Sequence, residues 1–194
     1  MKITIIGAGN IGKTLGSKWA QSGHQVTYGV RNPDDPKHAG LNVAPIAASL
    51  TSAEVILLSL PGAGVAEFAV QFGAGLAGKI VIDATNNPRS PLMNNLDVLQ
   101  SAAPDADLVR AFSTLGWENF ANPRLEGQQL DLFYAGAESA RPAAEQLIRE
   151  IGLRPVCLGG LEGVPVVDGL TRAWFALAFG QGKSRRIAFK LLEE

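Results

Sequence analysis

The run "KITIIGAGNIGKT", residues 2 to 14, limits the fold more than any other part of the chain. "KITII" is short, β-branched and ended at once by glycine, the pattern of a strand buried on both faces. Past the glycines, Ile11, Leu15 and Trp19 recur at four-residue spacing and mark one face of a helix over residues 10–22. A strand covered on both faces needs crossover helices, so this opening predicts a parallel sheet.

The rest of the chain repeats the unit. Gly23 ends the first helix and "QVTYGV" forms the second strand. A polar turn, "NPDDPKHAG", leads to a short helix over 44–51. Strands follow at "EVILLSL" (54–60), "KIVIDAT" (79–85), "ADLVRAF" (106–112), "DLFYAG" (131–136) and "RPVCLG" (154–159). Helices fall between them at 65–76, 91–101 and 139–151, and the chain from Leu161 onward reads as mainly helical. Strands alternating with helices give an α/β fold with helices on both faces of a mostly parallel sheet. Residues 113 to 130 form the longest irregular stretch, and a boundary is expected near there. The division is 1–125 as the nucleotide-binding part and 126–194 as a smaller C-terminal extension packed on it.

The first turn, "GAGNIGKT", fits two motifs. Gly7, Gly9 and Gly12 satisfy the dinucleotide fingerprint, while Gly7, Gly12, Lys13 and Thr14 satisfy the phosphate-loop pattern of NTPases. Both rely on bare N–H groups at a helix N-terminus attracting phosphate. Gly9 favours the dinucleotide, because a pyrophosphate must approach the backbone there and the phosphate loop makes no such demand. Asp83, after an apolar strand, keeps the NTPase alternative open as a candidate magnesium ligand.

"QVTYGVRNP" decides the cofactor. Arg31 lies 19 residues past Gly12, close to the ~20 expected of the residue that reads the adenosine ribose. An acid there would accept the hydroxyls of NAD, whereas a guanidinium meets a 2′-phosphate, so the expectation is NADP.

Composition excludes several classes. The 194 residues are 46% apolar with a net charge of −1, which supplies a core and no basic field for nucleic acid. One cysteine and two histidines make a disulfide framework or a zinc site unexpected. "MKITIIGAG" is too short an apolar run for a signal peptide, and "VILLSL" and "WFALAF" fall short of the ~20 residues of a membrane span. The expected location is the cytoplasm, with no membrane partner.

"IIGAGNIGKTLGSKWAQSGHQVTYGVRNP", "LSLPG", "VIDATNNP", "VRAFSTLG", "DLFYAG" and "IREIGLRPVCLGGL" occur in the order found in a known family. They resemble the small dinucleotide-binding oxidoreductases related to F420H2:NADP oxidoreductase and, more distantly, the cytosolic domain of the six-transmembrane metalloreductases. The resemblance implies a Rossmann-type doubly wound sheet with a small C-terminal helical part. It also implies hydride transfer between NADPH and a planar acceptor such as a flavin or the deazaflavin F420. By matching positions, Gly7, Gly9, Asn10, Ile11 and Gly12 hold the pyrophosphate and Arg31 and Asn32 face the 2′-phosphate. Leu60 and Pro61 line the cofactor, and Thr85 and Asn86 border the nicotinamide. Ala8 and Val30 stand where the F420-using enzyme has threonine and serine, so NADP preference rests on Arg31 and NAD stays open. Ser113 stands where relatives often show asparagine.

No catalytic residue is assigned, because the cofactor carries the chemistry. His24 and His38 are expected at the surface, with a weak contact to the 2′-phosphate as the alternative for His38, and Cys157 is expected as a buried core thiol. Trp174, Phe175 and Phe179 are expected in the core, with a homodimer contact through the C-terminal helices or a lid over the acceptor as alternatives. "KSRRIAFKLLEE" is expected to dock as an amphipathic helix. A pocket roofed by residues 85–88, 112–116 and 170–180 would favour an enzyme over a non-catalytic NAD(P)-binding sensor.

Overall fold

The computed structural model describes residues 1–194. Strand β1 (Lys2–Ile6) buries Ile3 to Ile6, as a strand covered on both faces must. On one side it pairs with β2 (Gln25–Val30), which carries β3 (Val43–Pro45) at the edge. On the other side follow β4 (Val55–Leu58), β5 (Ile80–Asp83) and β6 (Asp107–Arg110), all parallel. After β6 a small hairpin, β7 (Arg124–Leu125) and β8 (Gln128–Gln129), precedes β9 (Asp131–Gly136). Strand β9 pairs antiparallel with β6, and β10 (Arg154–Cys157) is parallel to β9.

The large sheet therefore has the order β10-β9-β6-β5-β4-β1-β2-β3. Its first six strands are wound 3-2-1-4-5-6, the doubly wound Rossmann order, with the topological switch point between β1 and β4. Ligands bind at the carboxyl ends of strands beside such a point.

The helices are α1 (Asn10–Gln21), α2 (Ile46–Thr51), α3 (Val65–Phe72), α4 (Leu96–Ala102), α5 (Trp117–Ala121), α6 (Arg141–Glu150) and α7 (Val164–Phe175). Helices α1, α5 and α6 cover one face, where Leu15, Trp19, Phe120 and Leu147 pack on Ile3, Ile5 and Leu57. Helices α2, α3, α4 and α7 cover the other, through Leu50, Phe68, Leu99 and Val167 on Ile6, Ile56 and Leu58. Trp19 also donates its indole N–H to the Leu147 carbonyl at 3.0 Å, tying α1 to α6. No helix is long and apolar enough to cross a membrane.

Several expectations need correction. Residues 43–45 extend the sheet before α2 begins, and α4 starts only at Leu96, whose N–H the Asn94 side chain accepts at 2.8 Å. The final segment is no helix. Residues 181–194 run as an irregular strap whose backbone is claimed by distant side chains. Asn119 and Trp174 donate to the Ile187 carbonyl, Asp131 accepts the Leu191 N–H, and Arg154 donates to the Leu191 carbonyl. Leu192, placed on the apolar face of the expected helix, is 81% exposed.

His24 is not at the surface. Its side chain is 5% exposed and bonded to Glu150 at 2.6 Å. His38 is buried as well. Cys157 is only half-buried, because β10 is an edge strand.

Candidate cofactor and acceptor site

The glycine turn sits at the switch point. Gly7 has φ +110°, a left-handed conformation that glycine adopts without strain. A Cβ there would also press on the Ser59 backbone at 2.9 Å. Ser59 fixes the turn from β4 by donating to the Gly7 carbonyl at 2.9 Å. Gly12 packs so tightly that a Cβ would overlap the Gly7 carbonyl and meet Ser59 Oγ at 2.7 Å. Gly9 is different. It ends the turn as the N-cap of α1, and nothing lies within 4 Å of where a Cβ would stand, so its missing side chain leaves open space. No side chain caps α1 and no acid occupies its first turn, which leaves its N–H groups free for an anion.

Two cavities flank this turn. The first, of about 480 Å³, is lined by Gly7, Arg31, Asn32, Leu60 and Pro61, all expected from the sequence. Lys37, His38, Glu67, Phe68 and Phe72 also line it, and of these the sequence places only His38 near the 2′-phosphate. Arg31 is largely exposed and stands 3.6 Å from Glu67 of α3. Phe68 and Phe72, with ring centroids 5.5 Å apart, give the cavity an aromatic wall.

The second cavity, of about 300 Å³, opens on the other side. Gly9, Asn10, Ile11 and Ser59 border it, with Asn86, Ser113, Leu115 and Gly116 at the ends of β5 and β6. Trp117 and Arg185 line it too, and Trp174, Phe175 and Phe179 form a cluster on the remaining wall. These rings pack edge-on or tilted with centroids 5.5–5.7 Å apart. Trp174 is buried, as expected of core, but Phe179 is 57% exposed. Arg185 of the strap stacks over Phe179 at 5.5 Å and pairs with Glu118 at 2.7 Å.

Beneath this cavity lies a charged network that sequence reading missed. Arg110 is fully buried. It donates to Asp168 at 2.9 Å, to the Asp83 and Thr85 carbonyls, and to Asn86 Oδ1 at 2.8 Å. Arginine only donates, so Asn86 must turn its oxygen inward and its NH₂ outward. Thr85 does not face the cavity: its hydroxyl donates to Asp83 at 2.6 Å and accepts from Asn95. Asp83 is fully buried and also accepts the N–H groups of Thr85 and Asn95. Its oxygens are committed to protein donors, which removes the magnesium role. Lys13, the other mark of a phosphate loop, is exposed on the far side of α1 beside Tyr28 and Leu41.

Residues 2–87 match the family model described as NADP oxidoreductase, coenzyme F420-dependent. Over these residues the chain is similar to that family. It is also 28% identical over 180 residues to Metalloreductase STEAP3 of Rattus norvegicus, a match over 87% of this chain and 36% of the relative. The chain thus spans about a third of that metalloreductase's length. A solved structure from Arthrobacter sp. FB24, provisionally described as an F420-dependent NADP-reductase, superposes over 100% of both chains with TM-score 0.84 and 24% identity. A reductive aminase from Aspergillus terreus, solved with a nicotinamide nucleotide, shares the fold with TM-score 0.66 and 22% identity. That match covers 92% of this chain and 62% of the aminase.

The residues present fit the dinucleotide that the family name implies. The space beside Gly9, the uncapped α1 N-terminus and the cationic rim at Arg31 and Lys37 follow one another across the turn. Of the residues expected to serve the family's cofactor, Gly7, Arg31, Asn32, Leu60 and Pro61 gather in one cavity and Gly9, Asn10, Ile11 and Asn86 in the other. Gly12 lies under the turn as a packing contact, and Thr85 belongs to the Arg110 network.

Proposed function

We propose that this chain is an NADP(H)-dependent oxidoreductase that passes hydride between the nicotinamide and a small planar acceptor such as a flavin or deazaflavin. The observation that carries the reading is the pair of cavities meeting at one glycine turn, the second with Trp117, Trp174, Phe175 and Phe179 in its lining. In this reading adenosine occupies the first cavity and the pyrophosphate meets the N–H groups of α1. The nicotinamide end then points into the second cavity.

When bound, the cofactor supplies the hydride chemistry itself. The chain's own residues orient and exclude. The Asn86 NH₂, turned outward by Arg110, is a fixed donor for a carbonyl or carboxamide oxygen. Trp174, Phe175 and Phe179 offer flat apolar surface to a flat partner and keep water from the transfer. No side chain needs to act as acid or base.

The test is NADPH oxidation followed by loss of its absorbance against a panel of flavin mononucleotide, F420 and quinone acceptors. Steady turnover with at least one planar acceptor is expected. Tight NADPH binding with no turnover across the panel would leave a nucleotide sensor instead. Thermal stabilisation by ATP and magnesium but not by NADPH would remove the dinucleotide assignment altogether.

A further inference from the structure

The loop between β2 and β3 brings an imidazole to the adenosine cavity that nothing in the fold requires there. His38 ends a single 3-10 turn, Pro36–His38, started by Asp35, whose carboxylate accepts the Lys37 N–H at 3.0 Å. The side chain lines the first cavity beside Arg31, Asn32 and Lys37. His38 is only 8% exposed, yet its Nδ1 is buried with no hydrogen-bond partner. Buried polar atoms are almost always paired, so such an atom calls for an explanation.

Nδ1 is sealed from the cavity as well, so the ring nitrogen open to a ligand is Nε2, and the surrounding charges indicate which ligand. Arg31 shares its charge with Glu67 at 3.6 Å, and Lys37 shares its own with Asp35 at 2.7 Å. Hydrogen bonds from Lys37 hold the Asp35 carboxyl below the usual carboxylate range, so that pair stays ionised near neutrality. From α3 the cavity also receives Glu67 and Gln71, and α2 contributes no ionisable group. Among these groups His38 alone is a potential cation with no ion-paired or hydrogen-bonded anion, although the Asp35 carboxylate is near enough to feel its charge.

We propose that His38 is a specificity-determining residue for NADP, its imidazole donating to the 2′-phosphate between Arg31 and Lys37. This rests on the dinucleotide reading above and deepens it, because it makes the choice of NADP over NAD depend on pH. Histidine is the side chain that changes charge between about pH 5 and pH 8. Protonation adds a charge-assisted bond to the phosphate, so preference for NADPH over NADH rises as pH falls. The phosphate's own second ionisation near pH 6 works against this. A variant lacking the imidazole cancels that contribution, since the same ligand is bound.

The experiment measures the dissociation constants of NADPH and NADH for wild type, His38→Leu and His38→Gln at about pH 6 and about pH 8. His38→Leu is expected to lower the NADPH:NADH affinity ratio by about tenfold at the lower pH, with NADH binding unchanged. His38→Gln keeps a neutral donor. It should retain part of the preference but hold it flat with pH relative to wild type. If His38→Leu fails to fold, the pH profile of His38→Gln decides. Equal losses for both nucleotides, or a glutamine profile parallel to wild type, overturn the proposal. Should wild type bind neither nucleotide, the dinucleotide reading falls and takes this one with it. Should wild type prefer NADPH and both variants keep that ratio, only the role of His38 falls.

Discussion

Arg110→Met is the substitution whose cost the geometry specifies most fully. Methionine fills much of the arginine stem but removes the guanidinium, which is 0% exposed. Asp83, also at 0%, and Asp168, at 10%, would then face one another with no cation between them. The Asp83 and Thr85 carbonyls and Asn86 Oδ1 would each lose a donor in the same step. Breaking a buried ion pair from one side costs about 3–5 kcal/mol. Asp168 keeps Asn94 at 2.7 Å and Asp83 keeps its bonds from Thr85 and Asn95, so the middle of that range is expected. A loss of about 4 kcal/mol, roughly a thousandfold in the folding equilibrium, is a large share of the ~5–15 kcal/mol that holds a domain together. Urea unfolding followed by tryptophan fluorescence reads it directly, with Trp19 in the core as reporter. Adding Asp168→Asn should return at least about 1 kcal/mol, because one stranded charge is removed. If Arg110→Met stays within about 1 kcal/mol of wild type, the network does not fasten β5 and β6 to α7 as its geometry indicates. No recovery in the double variant would show that the lost charge was not the cause.

Three further substitutions separate other claims. Gly9→Ala should leave stability within about 0.5 kcal/mol, since its backbone is ordinary extended chain with room for a methyl, yet weaken NADPH binding by about tenfold or more. Equal thermal midpoints with a changed calorimetric affinity check this. Arg31→Ala should weaken NADPH about tenfold or more while barely changing NADH, and equal losses would remove arginine from phosphate recognition. Asp131 concerns the strap: burial pushes its carboxyl up, but hydrogen bonds from Arg154, the Leu191 N–H and Lys190 outweigh this and hold it below the usual range. Its contribution is complete above the unfolded value near pH 4 and is lost as pH falls through the lowered folded one. The protection factor of the Leu191 amide should therefore fall in acid in wild type, and already at neutral pH in Asp131→Asn.

The readable features were those written locally. β-Branched runs ended by glycine located the sheet, and the spacing of Ile11, Leu15 and Trp19 located α1, because each pattern spans only a turn or two. What escaped depends on partners far apart in sequence. Arg110 looks like any strand-end arginine until α7 brings Asp168 to it across 58 positions. His38 sits among turn-forming residues that predict exposure, and only its packing beside the first cavity buries it. The antiparallel entry of β9 has no local sign either, since its buried residues read like those of the parallel strands.

The strap shows why its periodicity misled. Ile187, Ala188, Leu191 and Leu192 share a helical face on paper, but a helix would need the backbone groups that other side chains take. Asn119, itself buried in α5, has both its amide donors' acceptors in the strap, at the Arg185 and Ile187 carbonyls. Arg186 spans the Glu118, Asn122 and Arg124 carbonyls, satisfying the end of α5 that would otherwise lack donors. A helical tail would forfeit all of these bonds for a short, solvent-facing helix of marginal stability. The extended path is therefore favoured, and it has a consequence for the site. It carries Arg185 to Glu118 and over the rings of Trp174 and Phe179, so the second cavity is finished by a segment that Asp131 anchors further along at Leu191.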